Sequence, residues 1–134
     1  MSSLPEHDRE FLAEKQIPFE EVLQNDTLGI ILSAFRVPEG LFIRQNGLLV
    51  PCKTADILVM IPQGYNDTKL DSFYADPWLY LPDGNEPQNC AGRHQFAGRS
   101  WQFWSRHQPD GSWRAGIDAL DTFIPLIRDA LRDR

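Results

Sequence analysis

Only two cysteines, Cys52 and Cys90, occur in the chain, and its longest apolar runs, such as DILVMIP at residues 56–62, fall far short of the about 20 residues a membrane helix needs. The opening MSSLPEHDREF carries neither a basic segment nor an apolar core of the secretory kind, so no membrane partner is expected and the protein is expected to be cytoplasmic. In a reducing compartment the two cysteines read as free thiols. Two cysteines cannot build a structural zinc site unless both recruit histidines. A glycine-rich phosphate loop of the P-loop or dinucleotide type is missing, as are internal repeats and low-complexity linkers. An excess of basic charge is missing too. The net charge of −6 argues against nucleic acid as a partner of the whole surface, because such affinity comes largely from neutralising phosphates.

What is present has the make-up of a soluble globular protein, 42% hydrophobic and 24% charged over 134 residues, and predicts one domain, 1–134, large enough for a core without staples. The charge is unevenly spread. Residues 1–24 hold six acidic and two basic side chains, whereas residues 89–107 hold Arg93, Arg99 and Arg106 and no carboxylate. That basic strip reads either as a site for an anion or acidic protein partner, or as a solvated face.

PEHDREFLAEK has a proline and acids at its start and predicts a short helix ending before Pro18. FEEVLQ and LGIILSAFRVP predict a hairpin across the turn QNDT. ADILVMIP and WLYLPDG predict two further strands, so that residues 27–36, 56–61 and 78–81 share one antiparallel sheet. The connection between Pro38 and ADILVMIP is read as a glycine- and asparagine-containing link. Residues 82–117 show few periodic runs and read as a long irregular segment of the kind that carries function. From about Asp118, read as the N-cap, Leu120, Phe123, Ile124, Ile127 and Leu131 fall on one helical face, with Pro125 as a kink or late start. Helix, four-stranded meander, irregular segment and helix make an α+β arrangement.

The stretch NCAGRHQFAGRSWQFWSRH, residues 89–107, concentrates the chemistry. Trp101 and Trp104 are expected to be mostly buried, with Trp113 anchoring the approach to the last helix. As surface rings, Trp101, Phe103 and Trp104 would instead form a stacking platform. His94 and His107 read either as acid–base groups or as structural hydrogen-bonding residues. Cys90, His94 and His107 are three loosely spaced metal-ligand candidates without a cysteine-pair knuckle, which is the pattern a small metal-dependent hydrolase would need.

GYNDTKLDSFYADPWLY, GRSWQFWSRH and WRAGIDALDTFIPLIRDAL, with the opening LPEHDREFLAEKQIPFEEV, resemble the prokaryotic relatives of ubiquitin-conjugating enzymes, in particular the set called family E. WQFWSRH and WRAGID are the specific pieces. The resemblance implies the ubiquitin-conjugating (UBC-like) fold, with an irregular active-site segment between the meander and the C-terminal helix. It also implies an activity, a ubiquitin-like protein transferase that accepts the modifier from an adenylating activating enzyme as a cysteine thioester and passes it to an amine of a target protein. No nucleotide, metal or other cofactor is implied. The superfamily signature His-Pro-Asn, followed by Gly and the catalytic Cys, is altered. With HQFAGRSWQF laid on it, His94 keeps the histidine place, Gln95 and Phe96 replace Pro and Asn, and Trp101 stands where the cysteine belongs. The nearby thiol is Cys90, which Arg93 and His94 would bias toward thiolate in an open loop, so Cys90 is the expected nucleophile. Asn89 is the expected oxyanion group, with His94 and His107 completing the catalytic set. Arg93, Arg99, Trp101, Trp104, Arg106 and Trp113 are expected in partner-binding or structural roles. The alternative is a non-catalytic module of the same fold that docks the modifier or the activating enzyme.

Overall fold

The computed structural model describes residues 3–90, 92–106 and 111–134. Helix α1 (Glu6–Glu14) starts at Pro5 and turns Leu12 and Asp8 inward, one helical turn apart. It closes with Gln16 N–H on the Ala13 carbonyl (3.1 Å) and Ile17 N–H on that of Leu12 (2.9 Å), with Gln16 in the left-handed region at φ 57°. This Schellman closure satisfies the last carbonyls before Pro18 forbids another turn.

Strands β1 (Phe19–Gln24) and β2 (Thr27–Arg36) then pair across Asn25–Asp26, both at positive φ, as the two-residue turn of a twisted hairpin requires. A separate hairpin, β3 (Phe42–Gln45) with β4 (Leu48–Pro51), turns at Asn46–Gly47, again with both φ positive. Strand β5 (Thr54–Ile61) pairs with β2, and β6 (Ser72–Asp76) pairs with β5. A last hairpin, β7 (Arg93–Phe96) and β8 (Arg99–Ser105), enters the sheet through β8 against β6. All pairings are antiparallel, and the large sheet runs β1-β2-β5-β6-β8-β7.

The α+β class expected from the sequence holds, but four expectations are corrected. The meander is a six-stranded sheet, not a four-stranded one. Its fourth strand is Ser72–Asp76, not residues 78–81, where Tyr80 alone makes an isolated bridge to Phe42. The glycine- and asparagine-containing connection is the β3–β4 hairpin. The segment 82–117 is not irregular throughout, because residues 93–105 are the β7–β8 hairpin.

Two apolar layers hold the fold. On one face of the sheet, Ile30, Leu32, Ile57, Val59, Phe73 and Trp104 pack with Leu12 of α1 and with Phe123, Ile127 and Leu131 of α2 (Leu120–Arg132). On the other face, Ile31, Leu58, Phe96 and Trp101 form a smaller cluster. The sheet curls far enough to make this second layer. At the tip of the last hairpin, Ala97 N–H reaches Gln24 Oε1 of β1 (2.9 Å), joining the two ends of the sheet. Gly29 permits the closure, since a Cβ there would stand 2.6 Å from the Phe96 ring and 2.9 Å from Leu58. β2 is thus covered on both faces, and this explains why GIIL is continuously apolar in an antiparallel strand.

Asp118 does not cap α2. Its carboxylate accepts Arg114 N–H (2.7 Å) and pairs with the Arg114 guanidinium, while Ala119 holds the N-cap place and Thr122 Oγ1 takes its N–H (3.1 Å). The helix runs through Pro125 from Leu120 to Arg132.

Candidate functional site

Cys90 follows Asn89, which lies exposed at φ 57° and whose carbonyl accepts Ser105 N–H (3.0 Å), tying the chain to the end of β8. That tie turns the Cys90 side chain into the helix-side core, where the residue is 1% exposed. Its Sγ lies 3.6 Å from the Gln88 carbonyl and 3.8 Å from Arg106 Nη2. Arg106 in turn lies over the Trp104 ring, 4.8 Å from its centre, and donates to the Ser105 carbonyl. Burial pushes the thiol up to about 11, with the Arg106 charge pulling the other way and losing. Such a thiol is roughly one part in ten thousand thiolate at neutral pH. The expected open loop around Cys90 is therefore corrected: the thiol is enclosed. Cys52 is enclosed as well, donates to the Thr54 carbonyl (3.2 Å), and is also raised by burial.

His94 does not join Cys90. On β7 it pairs with Trp101, on the face opposite the helices, and stacks on Tyr74 with ring centres 4.6 Å apart. Phe73, which stacks on Trp104 in the core that holds Cys90, is Tyr74's neighbour on β6 and points the other way. The sheet thus separates the two expected partners. His94 Nε2 is buried without a hydrogen-bond partner among the described residues, beside a cavity of about 210 Å³ lined by Tyr74, Gly92, Arg93 and Phe103. His107 lies outside the described residues.

The other expected residues have the following places in the fold. Trp101 and Trp104 have no exposed surface, and their indoles donate to the Phe96 carbonyl and to Gln102 Oε1 (3.0 Å each). Arg99 bridges Asp56 and Asp76 (2.8 Å each) and lies over Trp101. Arg93 lies over Trp78, 5.4 Å from the ring centre. Trp113 donates to the Asn66 carbonyl (2.8 Å) and packs against the main core ahead of α2. Among the described residues no three His, Cys, Asp or Glu side chains gather as a metal site needs, and no helix is long and apolar enough to cross a membrane.

Two arrangements had escaped sequence reasoning. Gln102, fully buried, uses its amide to take Leu79 N–H and C=O (3.0 Å each), which pins residues 77–80 beside β8. Asp8, 1% exposed, meets Tyr65 and the first N–H of α2. Asp8 does sit four residues before Leu12 on the helix, which is the signal that it faces inward. Nothing local marks Gln102.

A protein-family model described as prokaryotic E2 family E matches residues 4–134. No curated protein and no solved structure matches the chain.

Proposed function

We propose, for a chain that belongs to the prokaryotic E2 family E, that it serves in ubiquitin-like conjugation as a docking module for the ubiquitin-like modifier or its activating enzyme. In this reading it does not carry the modifier as a thioester. Family membership supports the ubiquitin-conjugating-like role. The observation behind the docking form of it is the enclosure of both thiols. Thioester exchange between proteins needs a thiolate that a large partner can reach, and Cys90 is neither exposed nor lowered. The place that the superfamily signature gives to cysteine is held by Trp101, and a fully buried indole has no nucleophilic chemistry to offer.

One observation favours the second reading, a thioester carried on Cys90. Arg106 stands 3.8 Å from the sulfur, close enough to favour the thiolate once the burial of Cys90 is relieved. In that form Asn89 stays adjacent to the nucleophile, while His94, across the sheet, has no part.

Reconstitution separates the two. The purified chain is mixed with its cognate activating enzyme, ATP and modifier, and binding is followed by calorimetry while adducts are followed by gel with and without reducing thiol. The docking reading expects binding and no thiol-sensitive adduct. An adduct that reducing thiol removes, and that Cys90→Ala abolishes, would put the carrier reading first. Absence of binding to both partners would overturn the docking reading itself.

A further inference from the structure

The β3–β4 hairpin is an addition to the six-stranded sheet, and its backbone pairing with the rest of the fold is narrow. Phe42 and Tyr80 exchange two backbone hydrogen bonds of 2.8 Å, and there the pairing stops. In an antiparallel strand, N–H and C=O groups of alternate residues point to the same side. Those of Arg44 therefore point to the side on which Phe42 meets Tyr80, away from β4. Leu79, next to Tyr80, turns its backbone to the Gln102 amide instead. Arg44 and Trp78 would be the next pair of the ladder, but no bond joins them among the described residues. Instead the two segments flank a cavity of about 300 Å³ lined by Arg44, Gln45, Pro77, Trp78 and Tyr80.

Each aromatic ring of this cleft carries a guanidinium, Arg44 from the cleft wall itself and Arg93 from the neighbouring strand β7. The Arg44 guanidinium lies 4.9 Å from the Tyr80 ring centre, and that of Arg93 lies 5.4 Å from that of Trp78. Arg44 is held in place by the Gly84 carbonyl (3.2 Å), and a Cβ on Gly84 would come within 2.9 Å of its Nη2. In a protein of net charge −6, the guanidinia of Arg9, Arg99, Arg114 and Arg132 are spoken for by carboxylates. Arg44 and Arg93 form no ion pair among the described residues. Both are exposed. The nearby Glu86 is engaged by the Trp78 indole (2.8 Å), and Asp83 by Asn85.

We propose that the open cleft between β3 and the Pro77–Tyr80 segment takes an acidic, extended peptide, which adds to the free edge of β3 at Arg44 and places its carboxylates on Arg44 and Arg93. The edge supplies backbone hydrogen bonds, the rings of Trp78 and Tyr80 supply contact area, and the two arginines supply charge selection. Nucleic acid would also meet arginine and aromatic rings here, but it has no backbone amides to pair with the free N–H and C=O groups of the β3 edge. This inference is independent of the docking role, since it uses no thiol and no part of residues 97–107.

The test titrates the full chain into a fluorescein-labelled peptide of alternating glutamate and valine, into its lysine–valine counterpart, and into labelled oligothymidine, reading anisotropy. The glutamate peptide is expected to bind saturably and the lysine peptide not at all. Arg44→Glu combined with Arg93→Glu should weaken binding by at least about tenfold with the melting temperature unchanged, both side chains being exposed. N-methylation of alternate amides in the glutamate peptide should also abolish binding, which charge attraction alone would not do. No saturable binding of the glutamate peptide, equal binding of both peptides, undiminished binding by the double variant, or binding of the N-methylated probe would each overturn the proposal. Tighter binding of oligothymidine would overturn it in favour of a nucleic-acid surface.

Discussion

The Tyr65 hydroxyl donates to the Asp8 carboxylate across 3.1 Å, and the first N–H of α2, on Leu120, points at both oxygens, 3.2 Å from Asp8 and 2.9 Å from Tyr65. Three segments distant in sequence thereby meet at one buried knot, and helix α2 has its terminal donor satisfied by α1 instead of by its own N-cap. Tyr65→Phe removes one donor and one acceptor from this knot. It should cost about 1 to 3 kcal/mol by urea denaturation.

The same knot makes stability depend on pH in a stated direction. Burial raises Asp8 above the usual carboxylate value, outweighing the Leu120 and Tyr65 hydrogen bonds that lower it. A raised acid binds its proton more tightly when folded, so its contribution is fully present below the unfolded value and is lost as pH rises through the folded one. Asp8→Asn does not titrate. The melting temperature of the wild type relative to this variant should therefore fall as pH climbs from about 3 through the acid range and level off toward neutrality. A gap that widens in favour of the wild type would mean that the hydrogen bonds win over burial. Glu21 and Asp118, lowered by Arg9 and Arg114, work in the opposite sense in both proteins and cancel in the comparison.

Closure of the sheet rests on the contact of Gly29 with Phe96. Gly29→Ala places a methyl 2.6 Å from the ring, and overpacking of this kind costs about 1 to 3 kcal/mol. Adding Phe96→Leu should recover part of the loss, because the clash goes with the ring. A Gly29→Ala protein as stable as the parent would show that the last hairpin does not lie across β2.

Trp104 stacks on Phe73 at 5.4 Å and has no exposed surface. Trp104→Ala should lose about 3 to 5 kcal/mol, a large share of a small domain's stability, and melt far below the parent. An unchanged melting temperature with lost partner binding would make this ring a contact surface.

Enclosure of the thiols is open to direct measurement. Alkylation of native protein by iodoacetamide at neutral pH should be at least about a hundredfold slower than in denaturant for both Cys52 and Cys90, since burial blocks access and holds each thiol protonated. Arg106→Ala should not make Cys90 more thiolate-like, because the guanidinium is the group that lowers it. Native alkylation of Cys90 at the unfolded rate would favour the carrier reading.

The sequence by itself determined the elements whose signals are local. The alternating and β-branched residues of β1, β2 and β5, the Pro5 start of α1 and the spacing of Leu120, Phe123, Ile127 and Leu131 each state their own secondary structure. The family is likewise legible in contiguous pieces such as WQFWSRH and WRAGID. The stretch around Asn46–Gly47 reads only as a glycine- and asparagine-containing connection, because the four-residue strands either side of the turn are too brief to announce themselves. What only the tertiary structure decided is which side of the sheet Cys90, His94, Trp101 and Trp104 occupy. His94 lies on β7, where pairing with Trp101 and stacking on Tyr74 put it on the face opposite the core that holds Cys90, although only four positions separate them in sequence. The enclosure of Cys90 comes from Arg106, Trp104 and the Asn89–Ser105 tie, partners that no local pattern can assign. A thiol's reactivity is set by burial and neighbouring charge, and both belong to the folded chain.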